Sequence, residues 1–300
     1  MKRFRKLACL LLALAVMLSL AACGSFEMKM ARAAQKMEKL QSYRTDIKVD
    51  LGMSMSLLGQ SMPLDMTMKG TGDVNTEPER TKMELDMELL GDTVHMLSYS
   101  EKDGDSFISY LSQDNGETWV RRSVDRGELR GLADKKDLGM LLKLAESFEE
   151  TGTETLRGSE ATVYSGVIQG EDIDEAVQLS GVLESLYESM GMDAGASDLD
   201  LSGCGSIPTT IAIDNKSGMI VRYTMDLCEV LQNLMPLLMD QAMSAMAAET
   251  GLEGLDLGAL GLEIKIERAF TTAELYDFDA VGPIEIPDAA RAAAELEIAA

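Results

Sequence analysis

Histidine and cysteine are scarce in this sequence, and their scarcity excludes most metal-dependent and nucleophilic enzymes. Among 300 residues there is one histidine, His95, and there are four cysteines. A catalytic triad requires a base held beside a nucleophile, and zinc sites usually gather several His or Cys ligands. We therefore predict that the chain is not an enzyme and holds no metal or cofactor. His95 is expected to be a surface or packing residue.

Basic residues are also few compared with acidic ones. The sequence has 27 Lys and Arg against 51 Asp and Glu, a net charge of −24. Such a surface is repelled by nucleic acid and by anionic lipid headgroups, because their phosphates require Lys and Arg partners. The composition therefore excludes a nucleic-acid partner and indicates no other specific partner.

The apolar run from Leu7 to Leu20 is too short for a membrane span, which takes about 20 residues. Four basic residues precede it, and Leu20-Ala21-Ala22-Cys23 follows. A basic start, a short apolar run and small residues before a cleavage site are typical of a secretory signal peptide. The cysteine after Leu-Ala-Ala resembles the bacterial lipobox, in which the thiol is acylated before cleavage.

We therefore predict a lipoprotein signal over residues 1–22 that is removed by cleavage before Cys23. Cys23 would carry the lipid, and residues 23–27 would tether the protein to the extracytoplasmic face of a bacterial cell membrane. An ordinary signal peptide with an incidental cysteine is the alternative.

From Tyr43 onward, apolar residues alternate with polar ones, which is the period of a half-buried β-strand. Turns rich in Asp, Gly and Asn separate the alternating segments. The predicted strands are 43–57, 62–68, 83–89, 93–100, 106–112 and 118–122. Together they predict an antiparallel meander with one apolar and one polar face.

The rest of the chain mixes helical and strand periods. Predicted helices are 28–41, 136–149, 171–190 and 231–246, with a short one at the C-terminus. Predicted hairpins are 153–169 and 207–227, and a late strand is expected over 262–269. We predict a single α+β domain over 28–287, in which helices pack on the sheet, and a tail or frayed helix over 288–300.

Two cysteines of the predicted domain, Cys204 and Cys228, flank the 207–227 hairpin. If Ile213 faces Met219, the same register places the two cysteines opposite each other, close enough for a disulfide. An oxidising compartment favours such a bond. Two separate thiols are the alternative.

The segment Ser112-Gln-Asp-Asn-Gly-Glu-Thr-Trp119 resembles the Asp-box of sialidases and related propellers. In such a box the Asp and Ser side chains bond turn amides and the glycine supplies a positive φ. The motif stabilises a hairpin and is not catalytic. Propellers carry several copies at regular spacing, whereas this chain has one, so a sialidase is excluded.

Methionine is unusually frequent, with 22 residues. Alternate strand residues share a face, and leucines continue the methionine rows, so an apolar sheet face is favoured over a copper site. A face of methionines is adaptable and suits variable apolar ligands, although it could equally be core covered by the helix at 231–246. The predicted ligand lining is Met53, Met55, Leu57, Met66, Met68, Met83, Met87, Leu238 and Met243.

The sequence resembles Gram-positive lipoproteins of the LolA/LppX type in four features. These are the predicted anchor, the helix ending near Gln41-Ser-Tyr43, the long meander, and the turns at Gly158-Ser159 and Asp214–Gly218. The resemblance covers about residues 27–287. It implies a curved antiparallel sheet, an open half-barrel with helices on its concave face, and a hydrophobic cavity that binds lipids or lipidated molecules. It brings no catalytic residues.

Two functions are consistent with these features. The first is a lipid-anchored extracytoplasmic protein that binds or carries an apolar, lipid-like ligand without catalysis. The second is an envelope interaction or sensor module whose apolar core is closed. The two differ in whether the methionine-rich face of the sheet is covered.

Overall fold

The computed structural model describes residues 26–57, 60–104, 106–124, 148–170, 172–173, 201, 203–238 and 263–295. The strands are β1 (Ser42–Leu57), β2 (Gln60–Thr76), β3 (Glu79–Leu89), β4 (Asp92–Asp103), β5 (Ser106–Ser112), β6 (Val120–Val124), β7 (Glu149–Leu156), β8 (Ser159–Gln169), β9 (Ser206–Asp214), β10 (Ile220–Asp226) and β11 (Glu263–Tyr276). The helices are α1 (Phe26–Met37), α2 (228–238) and α3 (Asp288–Arg291). In these described segments no helix has the length and apolar character needed to cross a membrane.

Several predicted features lie outside the described residues. These are the signal segment with Cys23, residues 136–147 and 174–190 of two predicted helices, and Met243 with the end of a third. Where the first of those helices enters the described part of the chain, the prediction is wrong. Glu149 begins strand β7, because its backbone pairs with Ser165 of β8.

All eleven strands belong to one curved, open antiparallel sheet. Its order is β6-β5-β4-β3-β2-β1-β11-β10-β9-β8-β7. The meander predicted for the first six strands is confirmed, since β1 to β6 are neighbours in sequence order. The last strand, β11, inserts between β1 and β10 and so joins the two halves of the sheet.

Helix α1 begins two residues before the predicted start and ends four before the predicted end. Its buried residues recur at helical spacing: Phe26, Met30, Ala33, Ala34 and Met37. After Met37 the chain tightens into turns and enters β1, where it bonds back to the end of β2. The predicted apolar stripe is thus the face by which α1 packs on the sheet.

Helix α2 packs beside the free part of β11. Among the described residues, the part of β11 before Ala269 in the chain does not pair with β10. There the Gln232 side chain makes hydrogen bonds to the β11 backbone. It donates to the Ile264 carbonyl at 3.1 Å and accepts from the Ile266 amide at 2.7 Å. Because buried backbone groups need such partners, Gln232 ties α2 to β11 through these two bonds.

One large apolar core lies between the two helices and the β1, β8, β9, β10 and β11 part of the sheet. From α2 it takes Val230, Leu231, Leu234, Met235 and Leu238, all buried. The described part of the predicted 231–246 stripe therefore lies in this core.

The C-terminal segment crosses the other face of the sheet as a strap, residues 277–295. Asn75 holds it twice, donating to the Gly282 carbonyl and accepting from the Ile284 amide. Further along, Arg291 forms a two-pronged ion pair with Glu101. The strap covers a second apolar cluster: Tyr99, Tyr110, Ile284, Ile286 and Ala290, with Leu97, Ile108 and Trp119 packed against it.

The disulfide predicted from the hairpin register is not formed, and Cys204 and Cys228 are not joined. Ile213 pairs with Ile220 rather than Met219, and an irregularity after Ile220 moves the register by a further residue. The ladder also ends before either cysteine is reached. Cys228 begins α2, where its sulfur accepts a hydrogen bond from the Ala269 amide at 3.0 Å, and burial, followed by Asp226, raises its thiol pKa to about 11.

Candidate ligand-binding face

The pairing of β1 to β4 assembles a continuous apolar surface from their alternating residues. Met68 lies between Val49 and Met87, and Met87 lies opposite Val94. The surface, called the methionine face below, consists of Met62, Leu64, Met66, Met68, Met83, Leu85, Met87, Leu89, Val94 and Met96. It continues the face on which α1 and α2 pack, because Leu51 of the large core pairs with Met66.

The methionine face is covered much less than the core beside it. Met62 is 52% exposed, and Leu89 and Val94 are each 37% exposed. The remaining seven residues are half-buried. Large contiguous apolar patches are rare on monomeric proteins and usually mark a binding site.

Two glycines of β2 shape the upper part of this face. A Cβ atom on Gly70 would lie 2.2 Å from Leu85 Cδ2, and one on Gly72 would lie 2.2 Å from Met83 Sδ. The β3 side chains therefore lie directly over the β2 backbone, in space that any other residue would fill. Glycine within a strand often marks such a close approach.

The structure separates the predicted lining residues into three groups. Leu238 is buried in the large core, and Met53 packs against that core. Met66 also packs against the core, at the border of the methionine face. Met55 is half-buried on β1, and Met68, Met83 and Met87 lie on the methionine face. The side chain of Leu57 and all of Met243 are outside the described residues.

Several residues of the methionine face were not predicted as lining. Met62, Leu64, Leu85 and Leu89 continue the same rows as predicted methionines, so the alternation contained the signal for them. Val94 and Met96 could be assigned only from the pairing of β3 with β4.

Away from the strap, the opposite face of the sheet is polar and carries cross-strand ion pairs. Arg268 bonds Asp50 at 2.6 Å and Asp65 at 2.7 Å. His95 lies on this face with its Nδ1 2.8 Å from Asp86, as a surface residue. A cavity of about 480 Å³ opens here, lined mainly by charged and hydroxyl side chains.

The polar cavity offers no evident metal site. Within the described segments, no three His, Cys, Asp or Glu residues are grouped so that they could hold a metal ion. Both basic and acidic side chains line the cavity, as expected for a solvated sheet surface. The methionine face is therefore the better candidate site.

The predicted Asp-box forms the β5–β6 turn with the expected bonds. Asp114 accepts from the Thr118 amide at 2.8 Å and from its hydroxyl at 2.5 Å, and Ser112 Oγ accepts from the Gly116 amide at 2.8 Å. Gly116 has a φ of 92°, and Trp119 donates to the Gly116 carbonyl. The motif is a turn device at the edge of the sheet.

Comparison with known families gives one match. A model described as a family of unknown function (DUF6612) matches residues 27–155, which span α1, β1 to β6 and most of β7. That is 155 − 26 = 129 of 300 residues, less than half of the chain. A search of curated proteins finds no match.

Several solved structures are similar in overall course. LprF from Mycobacterium bovis is 14% identical, with a TM-score of 0.43, over 89% of this chain and 100% of its own. The lipoprotein LppX from Mycobacterium tuberculosis is 11% identical, with a TM-score of 0.35, over 87% and 98%. A β-barrel-like protein of a domain of unknown function (DUF1849) from Brucella abortus is 10% identical, with a TM-score of 0.25, over 79% and 99%.

LppX, after which the sequence resemblance is named, is thus among the structures similar to this chain. At these identities and TM-scores the likeness assigns no function.

Proposed function

We propose that this chain is a lipid-anchored extracytoplasmic protein that binds an apolar, lipid-like ligand on its methionine face. The observation that carries the proposal is the contrast between two parts of one sheet face. The part over β8 to β11 is buried beneath α1 and α2, whereas the methionine face over β2 to β4 remains half-exposed.

The composition of the exposed part fits a binding role. Met68 of β2 and Met87 of β3 are direct cross-strand neighbours. Methionine adapts its shape because its side chain is unbranched and flexible. A ligand held there would replace water over the methionine face as the helices do over the core. We infer an open half-barrel with helices and ligand sharing its concave face.

Native mass spectrometry of residues 24–300, secreted without the anchor, tests this proposal. A co-purifying mass in the lipid range, lost on organic extraction, is expected. Added lipid should also raise the melting temperature, because a ligand that binds only the folded state stabilises it.

Matched variants connect the ligand to the methionine face. Met68→Asn with Met87→Asn should remove the co-purifying mass. Lys69→Gln, on the opposite face of β2, should retain it, since Lys69 is exposed and pairs with Asp86. A bare polypeptide mass, together with no thermal shift from added lipids, would contradict the proposal and leave the closed interaction module.

A further inference from the structure

The β3–β4 hairpin turns through a leucine in an unfavourable conformation. Leu90 has a φ of 55° and Gly91 a φ of 90°. Side chains other than those of Asn, Asp and Gly rarely adopt this left-handed region. The other described non-glycine residues with such a φ are Asn115, Arg157, Asp277 and Asp279.

Arg157 shows what a residue can gain from this position. It lies at the same place in the β7–β8 turn, before Gly158, with a φ of 48°. Its guanidinium forms an ion pair with Asp46 and lies 3.5 Å from the centre of the Tyr276 ring. Contacts within the protein therefore offset its conformation.

Leu90 has no comparable compensation, because 71% of it is exposed. A leucine held in a left-handed turn and exposed to solvent is unfavourable in both respects. Strained residues of this kind cluster at functional sites. The observation therefore points to a contact outside the chain.

Leu90 follows the last methionine-face residue of β3 in the chain. Leu89 belongs to that face, Val94 lies beyond the turn on β4, and Met62 on β2 is more than half exposed. The most exposed residues of the methionine face therefore lie toward this end of the hairpin.

The N-terminus of the described chain is directed toward the same end of the sheet. Helix α1 ends beside Thr76, where Leu40 and Gln41 bond to the end of β2, and β3 runs from there down to Leu89. Phe26, at the other end of α1, stacks on Phe148 just before β7. Cys23 lies three residues before Phe26, at most about 10 Å away along an extended chain.

We propose that the hairpin tip of Leu89 and Leu90 inserts into the surface of a lipid bilayer, so that the methionine face opens toward the membrane. This step rests on the proposed function, since a lipid on Cys23 would hold the sheet close to a bilayer. Glu88 and Asp92 flank the tip and are exposed, so the bilayer that fits it has little negative surface charge.

A bilayer suits this tip better than a protein does. Stable protein interfaces bury about 1,200–2,000 Å² with complementary shape, which two leucines at a hairpin turn do not supply. A fluid bilayer needs no complementary shape, and its interior takes up aliphatic side chains.

Tryptophan quenching in vesicles tests the insertion. The full chain, with Leu90→Trp, is reconstituted into phosphatidylcholine vesicles whose acyl chains carry bromine, and Trp119 provides the same background in every sample. Asp103→Trp is the matched control, because Asp103 is exposed at a hairpin tip at the opposite end of β4. A blue shift and strong quenching are expected for Leu90→Trp and neither for Asp103→Trp.

A second variant separates insertion from folding. Leu90→Asn places a residue that tolerates a left-handed φ at the tip, so its melting temperature should be unchanged or raised. With Val94→Trp as the reporter, Leu90→Asn should reduce bromine quenching relative to the chain that keeps Leu90.

Three results would overturn the inference. The first is equal quenching of Leu90→Trp and Asp103→Trp. The second is quenching of the Val94→Trp reporter that is unchanged by Leu90→Asn. The third is a blue shift of Leu90→Trp that appears without vesicles and depends on protein concentration. The last result would assign the tip to a second copy. Loss of insertion while the co-purifying lipid persists would contradict this inference and leave the proposed function intact. Insertion without any bound lipid would support this inference and contradict the proposed function.

Discussion

At the scale of single residues, the strongest local constraint lies in the Asp-box turn. Hydrogen bonds from the Thr118 hydroxyl and amide, and from Ser112, hold the pKa of Asp114 at about 2, below its usual 3.8. These bonds favour the ionised carboxylate, because each donor stabilises negative charge. Asp114 therefore stabilises the turn more when it is ionised than when it is protonated.

The sign of the resulting pH dependence follows from linkage. A carboxyl whose folded pKa is lowered contributes stability above its unfolded pKa and loses it as pH falls through the folded value. We therefore predict that the melting temperature falls between pH 3.8 and about 2 because Asp114 becomes protonated. In Asp114→Asn this part of the pH dependence should be absent.

Differential scanning calorimetry across that pH range measures the effect. Asp103→Asn is a suitable control, since Asp103 is an exposed turn carboxylate of the same sheet. Native and Asp114→Asn proteins with parallel pH profiles would contradict the assignment to Asp114.

At the scale of secondary-structure elements, β2 and β3 are adapted to each other through glycine. The Leu85 side chain occupies the place of a Cβ on Gly70, and the Glu84 carbonyl oxygen would lie 3.0 Å from that atom. Any side chain at position 70 has to displace Leu85 or bend β3. The close contact thus depends on both strands.

We predict that Gly70→Ala destabilises the protein by about 1–3 kcal/mol, the usual cost of overpacking. Leu85→Ala removes the clashing atoms, so the double variant should lose less stability than the sum of the two single variants. Urea unfolding of the four proteins measures this coupling.

Gly282→Ala controls for a general effect of replacing glycine. A Cβ at that position would meet no atom within 4 Å, and its stability should be nearly unchanged. If the Gly70→Ala and Leu85→Ala effects add, the close packing of Leu85 over Gly70 is not what requires glycine.

At the scale of the whole molecule, one sheet is packed differently on its two halves. The half from β8 to β11 is a closed core under α1 and α2, and the half from β2 to β4 keeps a half-exposed apolar face. On the other face, the strap leaves the end of β11 and is held on β2 by Asn75 and on β4 by Glu101. The protein thus combines a rigid support with an open apolar surface.

The predicted anchor would hold this surface at the membrane. We predict that Cys23→Ser moves the protein from the membrane fraction to the soluble extracytoplasmic fraction and abolishes incorporation of labelled palmitate, because no other thiol follows the predicted cleavage site directly. Cell fractionation with immunoblotting measures the change.

Cys9→Ser is the matched control, since Cys9 lies within the apolar run of the predicted signal and its loss should leave the protein in the membrane fraction. Membrane retention and palmitate labelling of Cys23→Ser equal to those of the native chain would show that the lipid is not on Cys23.

The sequence by itself determined the features that depend on local pattern. Period-two alternation identified β1 to β6 and assigned Met68, Met83 and Met87 to an apolar face, because alternate residues of a strand must point to the same side. Helical spacing identified α1, and the Asp-box turn was recognisable because its bonds join residues close in sequence.

Only the tertiary structure decided the features that depend on distant partners. The end of β11 was missed because its buried positions Ala269, Thr271 and Ala273 are small or polar and show no apolar alternation. The disulfide register failed because an irregularity after Ile220 shifts the pairing. Local pattern likewise could not predict which part of the apolar face is covered. The cover depends on where α1 and α2 pack, and their packing is set by contacts between residues far apart in the chain.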